Sequence, residues 1–427
     1  MMPSLPDQSD STDAREHFIP LRPADLVQKL ADDPAVTIFD RQQFRQFCQL
    51  VEATIHHEYH SRLAELKTAY APFDPDSDAA ALYELTSEDR SARCRRLFDR
   101  FDSLLQRANY RRLTREQLDE ALRTPSDDGL SLHLDLAIFE RLEIYSRGDC
   151  RLPRISRSWR NLWNGEDKLV PTFRRLAIIF RLKHKSPHTN PLDTRAVVLK
   201  LFKNIPQQDV ETLLPGTNIR LGWLEQAKIV LPTLSGVGLT IFKLLKGAAA
   251  VAFASLYGLL AFLALISGVI GYGIRSFYGY LRTREKYQLS LTRSLYFQNL
   301  DNNAGVLYHL VNEAEEQEFR EVVLAYWLLW RGGMQSARAA DLDQAAEKWL
   351  QDRCGLAVDF EVSDALAKLR RLGLAESSPT GRWRAVAIEN ALQTLDRAWD
   401  QQFAFHQATE QAEPEPLTKP RIWRAAA

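Results

Sequence analysis

One short stretch of the chain, HHEYH at residues 56–60, gathers three histidines around a glutamate. On a helix His56 and His60 lie on the same face, and two imidazoles at that spacing can hold one metal ion. Ser61 stands where the H-E-x-x-H motif of zinc proteases has its second histidine. Glu52 lies about 12 Å from His60 along the helix, so a third ligand has to come from elsewhere. Two interpretations stay open: a metal site on His56 and His60, or histidines that pack and form hydrogen bonds.

Other motifs with known chemistry are incomplete or missing from the sequence. Asp74, Asp76 and Asp78 resemble the start of a calcium-binding loop, but Ala79 replaces the turn glycine and Leu85 replaces the bidentate glutamate. The sequence contains no G-x-x-x-x-G-K-[ST], no G-x-G-x-x-G and no G-x-S-x-G, and its four cysteines form no C-x-x-C pair. We therefore predict no catalytic residue and no cofactor. Enzymatic activity stays open only as a metal-dependent reaction on the histidine pair.

A basic region is concealed by the balanced total charge. The chain has 55 basic and 55 acidic residues, yet the stretch from Arg147 to Lys185 holds eleven basic residues against three acidic ones. Arginines and tryptophans in such a stretch favour contact with anionic lipid headgroups, and the alternative is a solvated loop with exposed strand faces. The predicted headgroup contacts are Arg151, Arg154, Arg157, Trp159 and Arg160.

The elements that would position these residues include a predicted membrane hairpin at 229–274. Residues 248–274 contain no charged side chain and, as a helix, exceed the hydrocarbon thickness of about 30 Å. Residues 229–245 are predicted to be a second span, but they are short and include Lys243, so a single span stays open. Basic residues flank the hairpin on both sides, which predicts that both soluble parts are cytoplasmic. The glycine- and alanine-rich second span predicts self-association or a protein partner.

The part of the chain before the hairpin, residues 17–228, is predicted to be a helical and α+β domain. Apolar residues recur at three- and four-residue steps from Asp40 to Tyr70 and from Thr86 to Tyr110, which predicts two amphipathic helices. After them the period changes to two, which predicts a largely antiparallel sheet. The predicted strands lie at 132–138, 169–183, 196–202 and 218–221.

The part after the hairpin, residues 275–406, is predicted to be a linker and a winged-helix-like domain. Helical patterns at 317–330, 342–354 and 362–372 precede two extended pieces around a Ser-Ser-Pro-Thr-Gly turn. A winged helix suggests nucleic acid, but the third helix begins among Asp359, Glu361 and Asp364, which phosphates repel. We therefore expect a protein partner. Nucleic-acid binding is the alternative, through Arg371, Arg382 and Arg384.

Several phrases of the sequence resemble one known family. They are REHFIPLR from Arg15, FRQFCQLVEATIHHEYHSRLAELKTAYAPFDPD from Phe44, LKLFKNIPQQDVETLLPG from Leu199 and SLYFQNLDNNAGVLYHLVNEAEEQEFREVVLAYWLLW from Ser294. With them the chain resembles the domain of unknown function 3754 family over nearly its whole length. The resemblance implies a membrane protein, usually with two adjacent spans and mitochondrial in animals, and it brings no activity, cofactor or catalytic residue.

The phrase from Asn299 to Asn303 lies between apolar flanks and is itself polar. Its Asx side chains fit the capping of a helix or the satisfaction of buried backbone groups. A contact surface for the basic N-terminal region or for a partner is the alternative interpretation.

The complete prediction is an α+β membrane protein that acts as a non-enzymatic scaffold or regulator at the cytoplasmic surface of the lipid bilayer. The alternative functions are a membrane-tethered nucleic-acid-binding protein and a metal-dependent enzyme. The leader at 1–16 is acidic and lacks the character of a mitochondrial presequence, so we expect a multi-pass protein of a bacterial inner membrane. The leader and the tail at 407–427 are predicted to be disordered.

Overall fold

A computed structural model describes residues 15–34, 36–77, 85–114, 116–118, 130–134, 136–156, 166–183, 194–215, 217–221, 296–331 and 336–402, with 267, 271, 274, 275 and 278 as isolated positions. The chain divides into two compact units. We call Met1–Glu16 with Glu65–Leu310 the sheet unit, and His17–Ala64 with Val311–Ala427 the winged unit.

The described residues form a mixed α+β protein with antiparallel sheets. The helices are α1 (Pro23–Ala31), α2 (Ile38–Tyr70), α3 (Ser87–Arg107), α4 (Ala304–Trp330), α5 (Ala339–Cys354), α6 (Val362–Arg371) and α7 (Ile388–Asp400). The strands are β1 (Arg111–Arg112), β2 (Leu130–Leu134), β3 (Phe139–Ser156), β4 (Glu166–Leu182), β5 (Val198–Pro206), β6 (Thr217–Leu221), β7 (Asn299–Asn302), β8 (Ala337–Arg338), β9 (Ala375–Ser377) and β10 (Arg382–Ala385).

The sheet unit is built on a five-stranded antiparallel sheet with the strand order β1-β3-β4-β5-β7, and β2 pairs with β6 in a separate two-stranded sheet. Branched and aromatic side chains of β3, β4 and β5 form its core, together with Val210 and Leu213 of a 3-10 helix that follows β5. α3 lies against β3, because the Tyr145 hydroxyl is 2.9 Å from the Asp102 carboxylate. α3 begins after Thr86, whose side chain accepts a hydrogen bond from the backbone N–H of Asp89.

The winged unit has the element order of a winged helix. α4, β8, α5, α6, β9 and β10 follow one another along the chain, and the strands form an antiparallel sheet with the order β8-β10-β9. The apolar face of α2 packs on α4, where the ring centroids of Phe47 and Tyr326 are 4.0 Å apart and those of Phe44 and Trp330 are 5.8 Å apart. Stacked aromatic pairs of this kind add about 1 kcal/mol each beyond the area that they bury.

The prediction of a membrane protein is corrected by the structure. Across the part of the chain that the structure describes, no helix is both long enough and apolar enough to cross a bilayer. The described helices of more than twenty residues, α2, α3 and α4, carry charged side chains along their length, such as Arg45, Arg96 and Arg320. The finding contradicts the predicted hairpin, the multi-pass inner-membrane location and the membrane part of the fold class. The segments 229–245 and 248–274 lie almost wholly outside the described residues, and the hydropathy of a run alone does not distinguish a membrane span from another apolar segment.

Candidate functional site

A groove on the winged unit is a candidate binding site among the described residues. Its volume is about 660 Å³, and it is formed by the first residue of α5, one face of α6 and a side chain of β10. The α6 positions recur at three- and four-residue steps and therefore share one face of the helix. The lining side chains are Ala339 of α5, then Ser363, Leu366, Ala367, Arg370 and Arg371 of α6, and Trp383 of β10.

The basic end of α6 is held by two carboxylates of the winged unit. Lys368 has 3% of its side chain exposed, and its ammonium group lies 2.8 Å from Glu58 of α2 and also contacts Glu318 of α4. Arg371 donates two parallel hydrogen bonds to the same Glu58, at 2.9 and 2.7 Å. Two of the three cations in the last turn of α6, Lys368 and Arg371, are thus paired with two anions.

The ionisation of Glu58 follows from these contacts. Its partial burial alone would raise the pKa of the carboxyl. The hydrogen bonds and positive charges of Arg371 and Lys368 outweigh that effect and lower the pKa from 4.5 to about 2. Glu58 therefore stays ionised at every physiological pH and competes for Arg371 with any other anion.

The histidine stretch of α2 contacts other elements of the winged unit. His56 Nδ1 lies 2.8 Å from Glu315 of α4, and His57 Nδ1 lies 3.0 Å from the side-chain amide of Gln402. The rings of His56 and His60 are 6.4 Å apart between centroids. Within the described ranges, no group of three or more histidine, cysteine or acidic side chains is placed to hold a metal ion. The contacts of His56 and His57 join α2 to α4 and to the chain after α7.

The three arginines that were grouped for nucleic acid do not converge on one surface. Arg371 lines the groove and binds Glu58. Strand alternation places Arg382 and Arg384 on the face of β10 opposite Trp383. On that face Arg382 pairs in register with Arg338, and its guanidinium donates to the backbone carbonyl of Ser336 at 2.7 Å.

The basic region of the sheet unit is partly internal. Arg147, with 4% of its side chain exposed, lies 4.0 Å from Glu16, and Arg174 donates to the same carboxylate at 3.0 Å. Arg181 pairs with Glu140 at 3.2 Å. These arginines form ion pairs within the sheet unit. Of the residues predicted to contact lipid headgroups, Arg151 and Arg154 lie on β3 and Arg151 is exposed, whereas Arg157, Trp159 and Arg160 lie outside the described residues.

The polar segment 299–303, before α4, forms hydrogen bonds within the sheet unit. Asn303 adopts a left-handed backbone conformation with φ 47°, and its side-chain N–H donates to Asp76 at 2.6 Å. Its side-chain oxygen accepts from the buried N–H of Leu199 on β5 at 3.2 Å. A Cβ added at Gly305 would lie 2.5 Å from Asp301 Oδ1, so Gly305 leaves room for that carboxylate. Asn303 thus satisfies a buried backbone group, which is one of the two interpretations that the sequence allowed.

The groove is not predicted from the sequence. Arg370, Leu366 and Trp383 form no known motif, and Glu58 was noticed only as a neighbour of the histidines. The available signal was the alternation in β10, which separates Trp383 from the arginines on either side of it.

Comparison with known proteins finds a family model of unknown function that matches part of the chain. The family model described as "Protein of unknown function (DUF3754)" matches residues 173–305. The matched range includes β5 and β7 of the sheet unit and most of β4. This match confirms the family resemblance of the sequence. No solved structure matches the chain.

Proposed function

We propose that this chain, which matches the DUF3754 family model over residues 173–305, is a non-enzymatic binding protein whose winged unit acts as a protein-interaction module. In this role the chain is a scaffold or regulator, and the groove beside α6 receives the partner. The observation that carries the proposal is the pairing of α6 cations with acidic side chains of the winged unit. Lys368 is bound to Glu58 and Glu318, and Arg371 is bound to Glu58.

The composition of the groove supports a protein partner over nucleic acid. Leu366, Ala367 and Trp383 supply apolar and aromatic surface, which protein interfaces use at their centres. The first turn of α6 carries Asp364, and Asp359 and Glu361 precede it. These three carboxylates oppose a duplex at the end of the helix that enters the major groove in helix-turn-helix proteins.

Site-specific photo-crosslinking of the full chain tests the proposal. A photoreactive residue replaces Ala367 in the groove, and a matched control replaces Gln393, an exposed residue of α7. We expect a protein adduct from position 367 and none from position 393. The purified partner should then bind the purified chain, and Ala367→Glu should abolish that binding because it places a charge on the apolar floor.

The same preparation is titrated with labelled double-stranded DNA and with single-stranded RNA over a range of salt concentrations. Binding that weakens steeply with salt, and that disappears on combining Arg382→Glu with Arg384→Glu, would make nucleic acid the ligand and would contradict the proposal. Adducts from both crosslinking positions, or from neither, would also contradict it.

A further inference from the structure

We propose that the groove beside α6 binds an acidic segment of a partner protein, and that Arg371 exchanges the carboxylate of Glu58 for a carboxylate of this segment. The inference rests on the proposed function and adds to it the chemistry of the partner and a means of regulation. It follows from how the two arginines of the groove are engaged.

Arg370 is the cation of the groove that has no partner among the described residues. It is exposed at the last turn of α6, and its guanidinium has no charged or hydrogen-bonding partner among the described residues. Arginine binds carboxylates through two parallel hydrogen bonds, and an apolar floor beside it suits a side chain such as leucine. An acidic segment with an apolar residue therefore satisfies both parts of the groove.

Arg371 is the shared cation. It lines the groove while both of its donated hydrogen bonds go to Glu58, and about half of its side chain remains exposed, at 51%. Glu58 has a second cation, Lys368, at 2.8 Å. If Arg371 turns towards a ligand, Glu58 keeps a charged partner and is not left as an isolated buried anion. Because Lys368 remains beside Glu58, the exchange at Arg371 does not leave a buried charge unpaired.

Glu58 is thus an internal competitor of the ligand. Both Arg371 and a ligand carboxylate are ionised at neutral pH, and the terminal pair of N–H donors that Arg371 gives to Glu58 can serve only one carboxylate at a time. Removing the charge of Glu58 frees Arg371 and strengthens binding of the acidic segment. Removing the charge of Arg370 weakens binding of the acidic segment.

Fluorescence anisotropy with the full chain measures these effects directly. The probe is a labelled peptide of glutamates around a central leucine pair, and the reference probe has glutamine in place of every glutamate. We expect the acidic peptide to bind, and Arg370→Glu to weaken it about tenfold. Glu58→Gln should strengthen it about threefold, and this gain should vanish in the double variant with Arg371→Gln.

Arg382→Glu is the matched control, because it makes the same charge change on the opposite face of β10. Its affinity for the acidic peptide should stay within about twofold of the parent value at physiological salt. A circular-dichroism melt of each variant shows whether the winged unit still folds. Arg371→Lys, which keeps the charge and loses the two parallel hydrogen bonds, gives a milder second variant.

Three results would overturn the inference. Equal binding of the glutamine peptide would remove the acidic requirement. An equal loss in Arg382→Glu and Arg370→Glu would show long-range charge attraction in place of a built site. Unchanged affinity in a folded Glu58→Gln chain would refute the exchange at Arg371. A partner that crosslinks at position 367 without needing acidic residues would leave the proposed function standing while this inference fails.

Discussion

The two units arrange their buried charges in opposite ways. In the sheet unit the central charge is the Glu143 carboxylate, with 1% of its side chain exposed, which binds Arg112 at 3.0 Å, Arg141 at 2.8 Å and the Tyr145 hydroxyl at 2.7 Å. In the winged unit the central charge is the Lys368 ammonium, and its partner Glu58 also binds an arginine of the groove.

The difference lies in what the outer partners touch. Tyr145 and Arg141 pack within the sheet unit, since the tyrosine also reaches Asp102 and the guanidinium lies 4.3 Å from the ring centroid of Phe98. These contacts stabilise the fold of the sheet unit. Arg371 instead lines a groove, and the proposed exchange connects the packing of α6 to a ligand there. In this proposal the ion pair is functional because one of its partners also faces the groove.

The largest expected effect is on the sheet unit. Glu143→Ala removes the anion that three donors share, so we expect the free energy of unfolding to fall by about 3 kcal/mol, towards the lower end for a broken buried pair because both arginines are partly exposed. Urea unfolding measures the loss, and hydrogen exchange at β3 assigns it to this unit. Asp99→Ala is the control, since Asp99 is 73% exposed and 3.8 Å from Arg141, and it should cost less than about 1 kcal/mol.

A similar loss from Glu143→Ala and Asp99→Ala would mean that the buried Glu143 carboxylate stabilises the sheet unit no more than an exposed carboxylate does. Resolvation of the arginines would then be enough to replace the buried carboxylate.

An effect of similar size is expected at Asn303. Asn303→Ala leaves the buried N–H of Leu199 without its acceptor and puts an alanine in a left-handed conformation, so we expect a loss of about 3 kcal/mol. Asn303→Gly removes the same hydrogen bonds without the conformational cost and should lose about 1 kcal/mol less. Thermal unfolding of the two variants gives the difference. Equal losses would mean that the left-handed backbone carries no cost at this position.

Much of the local structure could be predicted from the sequence. The apolar stripe from Phe44 to Tyr70 predicted the helix that is now α2, and its residues Phe44, Val51, Ile55 and Tyr59 are buried. The alternation after Asp128 extended one predicted strand to residue 138, where the structure has a 3-10 helix at Leu136–Ile138. Periodicity reports which face is apolar and does not report the end of an element. The predicted limits of the soluble domains stay predictions.

The site could not be predicted in the same way. Glu58 and Lys368 are 310 residues apart in the chain, and no spacing rule connects them. Only the tertiary packing of α2, α4 and α6 brings their charges together. Charge alone places Arg371, Arg382 and Arg384 in one group. The alternation of β10 puts Arg382 and Arg384 on the face opposite Trp383, whereas Arg371 lines the groove beside Trp383. The membrane prediction was wrong because it inferred the surroundings of a segment from its hydropathy alone.

The smallest of these effects concerns the winged unit and depends on pH. The pKa of Glu58 is lowered to about 2 in the folded chain, against 4.5 as its ordinary value. A lowered pKa contributes stability that is fully present above about pH 5 and is lost as the pH falls from 4.5 towards 2. Partial exposure reduces this contribution to about 2 kcal/mol. The parent chain should therefore be more stable than Glu58→Gln at pH 7, the difference should shrink as the pH falls below 4.5, and the two should converge only below about pH 2.

Urea unfolding of both chains at a series of pH values gives the difference in free energy directly. Glu52→Gln on the exposed face of α2 makes the same chemical change away from α6, and it should show no such convergence. A difference between parent and Glu58→Gln that persists unchanged to pH 2.5 would mean that packing of the side chain, and not its charge, holds α6. In that event Glu58 would not compete electrostatically for Arg371, and the contrast between a closed network in the sheet unit and an exchangeable one in the winged unit would disappear.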